Sequence, residues 1–228
     1  MNQRTNDYFI TGTDTEIGKT FVTAALLRAY AQQALRTLGM KPVAAGAEMV
    51  DGVWHNEDVD QLIAASSVKA PQAIVAPYLM RTAAAPHIVA QLEEVQIDVQ
   101  QIATCYQQTR DLADVVIVEG VGGYVVPLNE TISTVDMAQA LNLPVILVVG
   151  MRLGCINHAL LTARAIAASG LHLAGWVANT VDIEMKFFEE NVQALKQRLP
   201  APCLGVIPRL PASQMDTAYR YLDLNLLK

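Results

Sequence analysis

Residues 8–27 read "YFITGTDTEIGKTFVTAALL". A short apolar run leads into a loop opened by Gly12 and closed by Gly18-Lys19-Thr20, and a helix-forming stretch follows. This order of strand, glycine loop and helix suits phosphate binding, because loop N–H groups and the helix N-terminus then face one anion. The common pattern leaves four residues between its glycines. Here Gly12 and Gly18 enclose five: Thr13, Asp14, Thr15, Glu16 and Ile17. With strand 8–11 before it and helix 20–35 after it, the longer loop still reads as a nucleotide phosphate site. Lys19 would reach the β- and γ-phosphates, and the Thr20 hydroxyl would ligate Mg²⁺. The chain has only six lysines, and one stands at this position.

A phosphate loop that uses Mg²⁺ needs an acid at the end of a second buried strand. "VVIVEG" supplies one, with four apolar residues followed by Glu119. A carboxylate buried there without a partner is costly, so Glu119 should meet a cation. Glycines 120, 122 and 123 follow it and suit close approach of the backbone to a ligand.

The remaining apolar runs alternate with helical stretches, the pattern of βαβ units around a mainly parallel sheet. Strands are expected at 37–45, 114–120, 144–150, 173–179 and 203–208, and a polar loop at 46–58. Helices are expected at 58–65, 86–93, 96–113, 134–141, 155–169 and 184–199. In the helix from Cys155, the buried face is expected to carry Ile156, Leu160, Ala163 and Ala167. No repeat, linker or low-complexity tract divides the sequence. The expected fold is a single doubly wound α/β domain over residues 1–228, P-loop NTPase-like, with ligands at the C-terminal ends of its strands.

Two further positions follow from this topology. Lys41, in "GMKPVAAG", closes the second strand beside the first and points into the same cleft, where it could offset charge on a phosphoryl group or anionic substrate. "LGCINHA" starts a helix at Gly154, whose free N–H groups could hold a carboxylate. Glu57, Asp58 and Asp60 are equal candidates for a further metal ligand. The four histidines have no metal-ligand spacing, and no nucleophile with a matching base stands out.

Composition narrows the function classes. Half the residues are apolar, 17% are charged and the net charge is −6, with a pI near 5.2. A nucleic-acid partner held by a general basic surface is not expected. The longest apolar runs are too short to span a membrane, and no secretory signal precedes the first strand. Cys105, Cys155 and Cys203 are isolated and odd in number, as expected of thiols in a reducing cytoplasm.

Seven blocks together resemble the dethiobiotin synthetases of biotin biosynthesis: "FITGTDTEIGKT", "KPVAAG", "APHI", "VEGVGG", "PVILVVG", "LGCINHALLT" and "LAGWVAN". They span residues 9–179 in order, with a weaker match at "APCLGVIP". That family carries the longer phosphate loop. The resemblance implies an ATP- and CO₂-dependent ring closure of 7,8-diaminopelargonic acid, through a carbamate and a carbamic-phosphoric anhydride.

By matching motifs, Thr20, Asp58 and Glu119 would hold Mg²⁺, and Thr13, Asp14, Glu16, Ile17, Gly18, Lys19, Thr20 and Phe21 would surround the ATP phosphates. Lys19, Lys41 and Thr15 would act at the reacting centre, with Glu16 nearby. Asn179 and the segment Ile207, Pro208, Arg209 and Leu210 would border the adenine. Ala45, Gly122, Gly154, Cys155, Ile156 and Asn157 would contact the substrate, the last four reaching its carboxylate across a homodimer interface. Two departures concern the substrate side. Ala45 stands where many members carry serine, and Phe187, Phe188 and Asn191 lie where a tyrosine is common. The division-site ATPases, a rival class, keep an extra lysine at the position of Asp14, and no basic amphipathic tail is present here to hold a membrane. Glutamine-dependent amidotransferases need a second domain with a nucleophilic cysteine.

Overall fold

A computed structural model describes residues 6–227. Chain order gives β1 (Tyr8–Gly12), α1 (Lys19–Ala31), β2 (Thr37–Met40), β3 (Val43–Ala45), β4 (Glu48–Val50), β5 (Val53–His55) and α2 (Glu57–Ala65). Then come α3 (Gln72–Val75), β6 (Tyr78–Met80), α4 (Pro86–Leu92), α5 (Val99–Arg110), β7 (Val115–Glu119), α6 (Thr134–Leu141) and β8 (Val145–Met151). The last are α7 (Cys155–Ala168), β9 (Leu173–Thr180), α8 (Phe188–Arg198) and β10 (Cys203–Ile207), before a 3₁₀ segment, Ala212–Tyr221. No helix among the described residues is long and apolar enough to cross a membrane.

Six strands form one sheet in the order β10-β9-β8-β1-β7-β2, and all its pairings are parallel. Because alternate side chains point to opposite faces, the strands divide their apolar residues between two cores. Phe9, Val116, Val118, Leu147 and Val149 pack toward α5, α6, α7 and α8. Ile10, Val115, Ile117, Ile146 and Val148 pack toward α1 and α2. Burial on both faces explains why β7 and β8 read as continuous apolar runs.

Four expectations are corrected. The stretch 37–45 is two strands, and β3 pairs with β6 in a separate two-stranded sheet. The break falls at Lys41-Pro42, where proline has no N–H for a ladder and the Lys41 N–H donates to the Val75 carbonyl instead (2.8 Å). Second, β2 lies beside β7, so Lys41 ends a strand next to β7 and not next to β1. Third, the loop after Gly46 contains the antiparallel hairpin β4–β5. Its turn is Asp51-Gly52, both at positive φ, the Asp-Gly turn whose twist matches a hairpin. Fourth, the buried face of α7 is Cys155, Ala159, Ala163 and Ile166. The helix is apolar on several stripes, and the small side chains at 159 and 163 seat it on the sheet. Ile156 and Leu160 are only partly buried.

At the opposite end of the sheet from the glycine loop, Asp7 is fully buried. It accepts from Tyr106 Oη (2.6 Å), Arg110 Nη1 (2.6 Å) and the Val116 N–H (2.7 Å), joining β1, α5 and β7. Burial pushes its carboxyl above the usual carboxylate range, against the pull of these donors. Asp7→Ala is expected to cost about 3 kcal/mol of stability in chemical denaturation, because it strands a buried hydroxyl and N–H and unpairs a cation. A loss below about 1 kcal/mol, the scale of an exposed pair, would mean that water readily replaces the carboxylate.

Candidate active site

The glycine loop links the C-terminal end of β1 to the N-terminus of α1. Gly18 caps that helix in the left-handed region (φ 84). A Cβ at Gly18 would lie 2.3 Å from Asn179 Nδ2, so both conformation and space require glycine. Asn179, at the end of β9, donates to the Ile17 carbonyl (2.8 Å) and so supports the loop from below. Gly150 leaves room for Ile17, whose side chain would lie 2.5 Å from a Cβ there. The outer side of the loop is fixed by Asp14, which accepts the Thr15 N–H (2.8 Å) and pairs with Arg152 just beyond β8.

Behind the loop, four side chains from four elements converge. Thr20, in the first turn of α1, places its hydroxyl 2.7 Å from both Asp58 Oδ1 and Glu119 Oε1. Lys41 Nζ lies 2.8 Å from Asp58 Oδ2 and 2.5 Å from Glu119 Oε1. Glu119 is fully buried and Lys41 is 3% exposed, so the expected meeting of Glu119 with a cation is met by Lys41. Burial works against the Lys41 charge, but Glu119 and Asp58 outweigh it and raise its pKa above that of an ordinary lysine. Burial likewise opposes ionisation of Asp58, yet Lys41 and Thr20 hold its carboxyl below the usual range. Lys19 is brought down to about 8, chiefly by burial and then by the neighbouring Lys41 charge. Its Nζ donates to the Asp14 carbonyl (2.8 Å), folded onto its own loop.

Two details of this cluster fit a divalent cation. A hydroxyl carries one hydrogen, so Thr20 cannot donate to both carboxylates it touches. Glu119 Oε2 is buried and has no hydrogen-bond partner among the described residues. Unpaired oxygen of this kind is costly, and two carboxylates with a hydroxyl form a hard oxygen donor set. Mg²⁺ suits it, since that ion takes one or two carboxylates and completes its shell with water and phosphate oxygens. No group of three or more His, Cys, Asp or Glu side chains able to hold a metal occurs among the described residues.

A cleft of about 630 Å³ opens beside these groups. Thr15, Glu16, Gly18 and Phe21 line it from the loop and α1, with Lys19 and Thr20. Lys41, Ala45, Asp58 and Gly122 line it from the other side. Gly122 has φ 64, and a Cβ there would lie 3.7 Å from Thr15 Oγ1, which brings the "VEGVGG" loop against the phosphate loop. Gln61, Ala83, Ala84 and Met215 also line the cleft and were missed from sequence. Gln61 was accessible to reasoning, since it lies one turn from Asp58 on α2. Met215 carries no sequence signal, because only tertiary packing brings the 3₁₀ segment against α1. A larger hollow of about 810 Å³, between α4 and residues 129–132, contains none of the expected site residues.

The expected adenine and carboxylate contacts lie outside this cleft. Asn179 pairs in register with Ile207 on β10, so Asn179 and the segment 207–210 adjoin at one end of the sheet. Gly154, Cys155, Ile156 and Asn157 begin α7. The Cys155 side chain is buried and its N–H is taken by the Arg152 carbonyl (3.0 Å). Ile156 and Asn157 therefore hold the free N–H groups of this turn. Phe187 is 71% exposed, and Asn191 donates to its carbonyl (2.7 Å).

A family model described as an AAA domain matches residues 6–217. The chain is 54% identical over 223 residues to the ATP-dependent dethiobiotin synthetase BioD of Janthinobacterium sp. (strain Marseille), covering 96% of this chain and 94% of that protein. Among solved structures, the MinD cell division protein of Aquifex aeolicus superposes with a TM-score of 0.58 at 15% identity, covering 97% of this chain and 89% of that one. FtsY from the Physcomitrella patens chloroplast gives 0.54 at 15% identity, covering 96% and 66%. At such low identity these two structures establish the common fold alone.

Proposed function

The chain belongs to the AAA-domain family matched above and, within it, to the ATP-dependent dethiobiotin synthetases; from that premise we propose how its residues carry out the ring closure. The reaction is the ATP-dependent synthesis of dethiobiotin, and its substrates on this reading are 7,8-diaminopelargonic acid and CO₂. One amine of the diamine takes up CO₂ and loses a proton, giving a carbamate. A carbamate oxygen attacks the γ-phosphorus of ATP, and ADP leaves. The second amine then attacks the carbonyl carbon of the resulting anhydride, phosphate departs, and the cyclic urea is complete.

The observation that carries this reading is the junction of Lys41 with Thr20, Asp58 and Glu119 at the wall shared by the phosphate loop and the cleft. Phosphoryl transfer needs aligned reactants and fixed positive charge more than a covalent nucleophile. Lys19 would turn from the Asp14 carbonyl to the phosphates, and Lys41 would face the carbamate and the transferred phosphoryl group. Thr20, Asp58 and Glu119 would hold Mg²⁺, which when bound offsets phosphate charge. Thr15 and Gly122, which adjoin at one edge of the cleft, would border the reacting amines, as would Ala45. Asn179 and residues 207–210 would take the adenine.

We also assign the start of α7 to the substrate carboxylate of a second copy, in a cytoplasmic homodimer. Leu153 (93% exposed) and Leu161 on one side, and Ile183 and Phe187 on the other, support this assignment. Leu161 lies on α7 and Leu153 just before it, and Ile183 and Phe187 lie just before α8, which packs on α7; these exposed apolar side chains would give a partner surface to cover.

ATP hydrolysis by the purified protein should depend on both the diamine and bicarbonate, with one phosphate released per dethiobiotin formed. Steady ATP turnover indifferent to the diamine would overturn this assignment.

A further inference from the structure

We propose that Asn56 is a positioning residue for the reaction, fastening the end of β3 to the helix that carries Asp58. The proposal rests on the dethiobiotin synthetase reading of the cleft. The chain leaves the cleft wall after Ala45, turns at Gly46 (φ 84), runs through the hairpin β4–β5 and returns at Asn56. There the Asn56 side chain, 8% exposed, acts at both ends. Its Oδ1 accepts the Val59 N–H (3.3 Å), capping α2. Its Nδ2 donates to the Ala45 carbonyl (3.0 Å) and approaches that of Gly46 (3.5 Å).

Asp and Ser cap helices as well as Asn does, but Asp has no donor, and the single Ser hydroxyl sits on too short a side chain to cap and also reach back to Ala45. The second bond therefore accounts for the carboxamide. Its two ends matter differently. Asp58 lies two residues beyond Asn56, in the first turn of α2, and Ala45 lines the cleft. The Ala47 N–H donates to the Met80 carbonyl (3.0 Å), so residues 45–47 are held between Asn56 and β6. With both ends of the hairpin fastened, movement of its exposed tip, Met49 to Trp54, leaves the distance between Asp58 and Ala45 unchanged.

Asn56→Asp and Asn56→Ser keep the cap and remove the tether, whereas Asn56→Ala removes both. In the first two, the KM for the diamine should rise about tenfold, the scale of one lost hydrogen bond, while the KM for ATP stays near wild type and the melting temperature falls by only the few degrees that one bond is worth. Asn56→Ala, which also loses the cap, should lower the melting temperature further. Hydrogen exchange at the Ala47 amide, which needs no substrate, should speed up about tenfold in Asn56→Asp and Asn56→Ser. Unchanged exchange at Ala47 in those variants overturns the tether. An equal rise in both KM values with a lower melting temperature also overturns it, as the mark of a merely structural residue. A wild-type protein inactive on the diamine would count against the dethiobiotin synthetase reading alone, since the exchange measurement still decides the tether.

Discussion

Lys41→Ala is expected to lower dethiobiotin formation about 1000-fold, the upper scale for losing one preorganised charge-stabilising donor, while leaving ATP affinity within a few-fold of wild type. The split follows from position. Lys41 ends β2 on the cleft side of the cluster, whereas the phosphate loop and its own Lys19 belong to the other wall. The substitution also unpairs two carboxylates, one of them fully buried, so folding stability should fall by about 3 kcal/mol. For that reason kcat and nucleotide binding are best measured well below the melting temperature of the variant, with Mg²⁺ in excess. Activity within tenfold of wild type would reduce Lys41 to a counter-charge for Glu119 and remove it from the reaction.

Glu119→Gln tests the opposite end of that pair with little disturbance of packing. The glutamine oxygen can still accept from Thr20 and Lys41, but the negative charge and the unpartnered carboxylate oxygen are gone. We expect kcat to fall roughly 100-fold, the effect of losing several kcal/mol of charge stabilisation. The Mg²⁺ concentration for half-maximal rate should rise more than about tenfold, as when support for a bound metal is removed. An unaltered Mg²⁺ dependence would move the cation away from Glu119 and leave Thr20 and Asp58 without a third partner. The two substitutions should also differ in stability. Lys41→Ala leaves a buried charge without its paired cation, while Glu119→Gln removes that charge.

Much of the fold could be read from local pattern. β7 and β8 appear as uninterrupted apolar runs because both faces of their sheet are covered, and α6 was placed at its observed bounds by the polar residues on either side of it. The readings that failed did so where one pattern allows two outcomes. The run 37–45 is apolar apart from Thr37 and Lys41, and nothing in its periodicity shows that Pro42 sends the chain into a second sheet. The α7 segment offers several apolar stripes, and close contact by Ala159 and Ala163 selected the one that faces the sheet. Asp51-Gly52 is itself a local hairpin signal, but the polar residues around it give the pattern of a loop.

The site divides in the same way. That the glycine loop, Thr20 and Glu119 lie at the same end of the sheet could be read from sequence, because strand, loop and helix are contiguous, and a buried acid such as Glu119 is expected to meet a cation, here Lys41. Asp58 could not be separated from Glu57 and Asp60 by residue type, since all three are acids in the first turn of one helix. Tertiary structure selects Asp58 by turning it toward Thr20 and Lys41, while Asp60 turns to His55. The pairing of Asp14 with Arg152, the arrival of Met215 at the cleft and the second bond of Asn56 are likewise long-range. Each depends on which segments the sheet order brings together, and that order is set by burial over the whole chain rather than by any local run of residues.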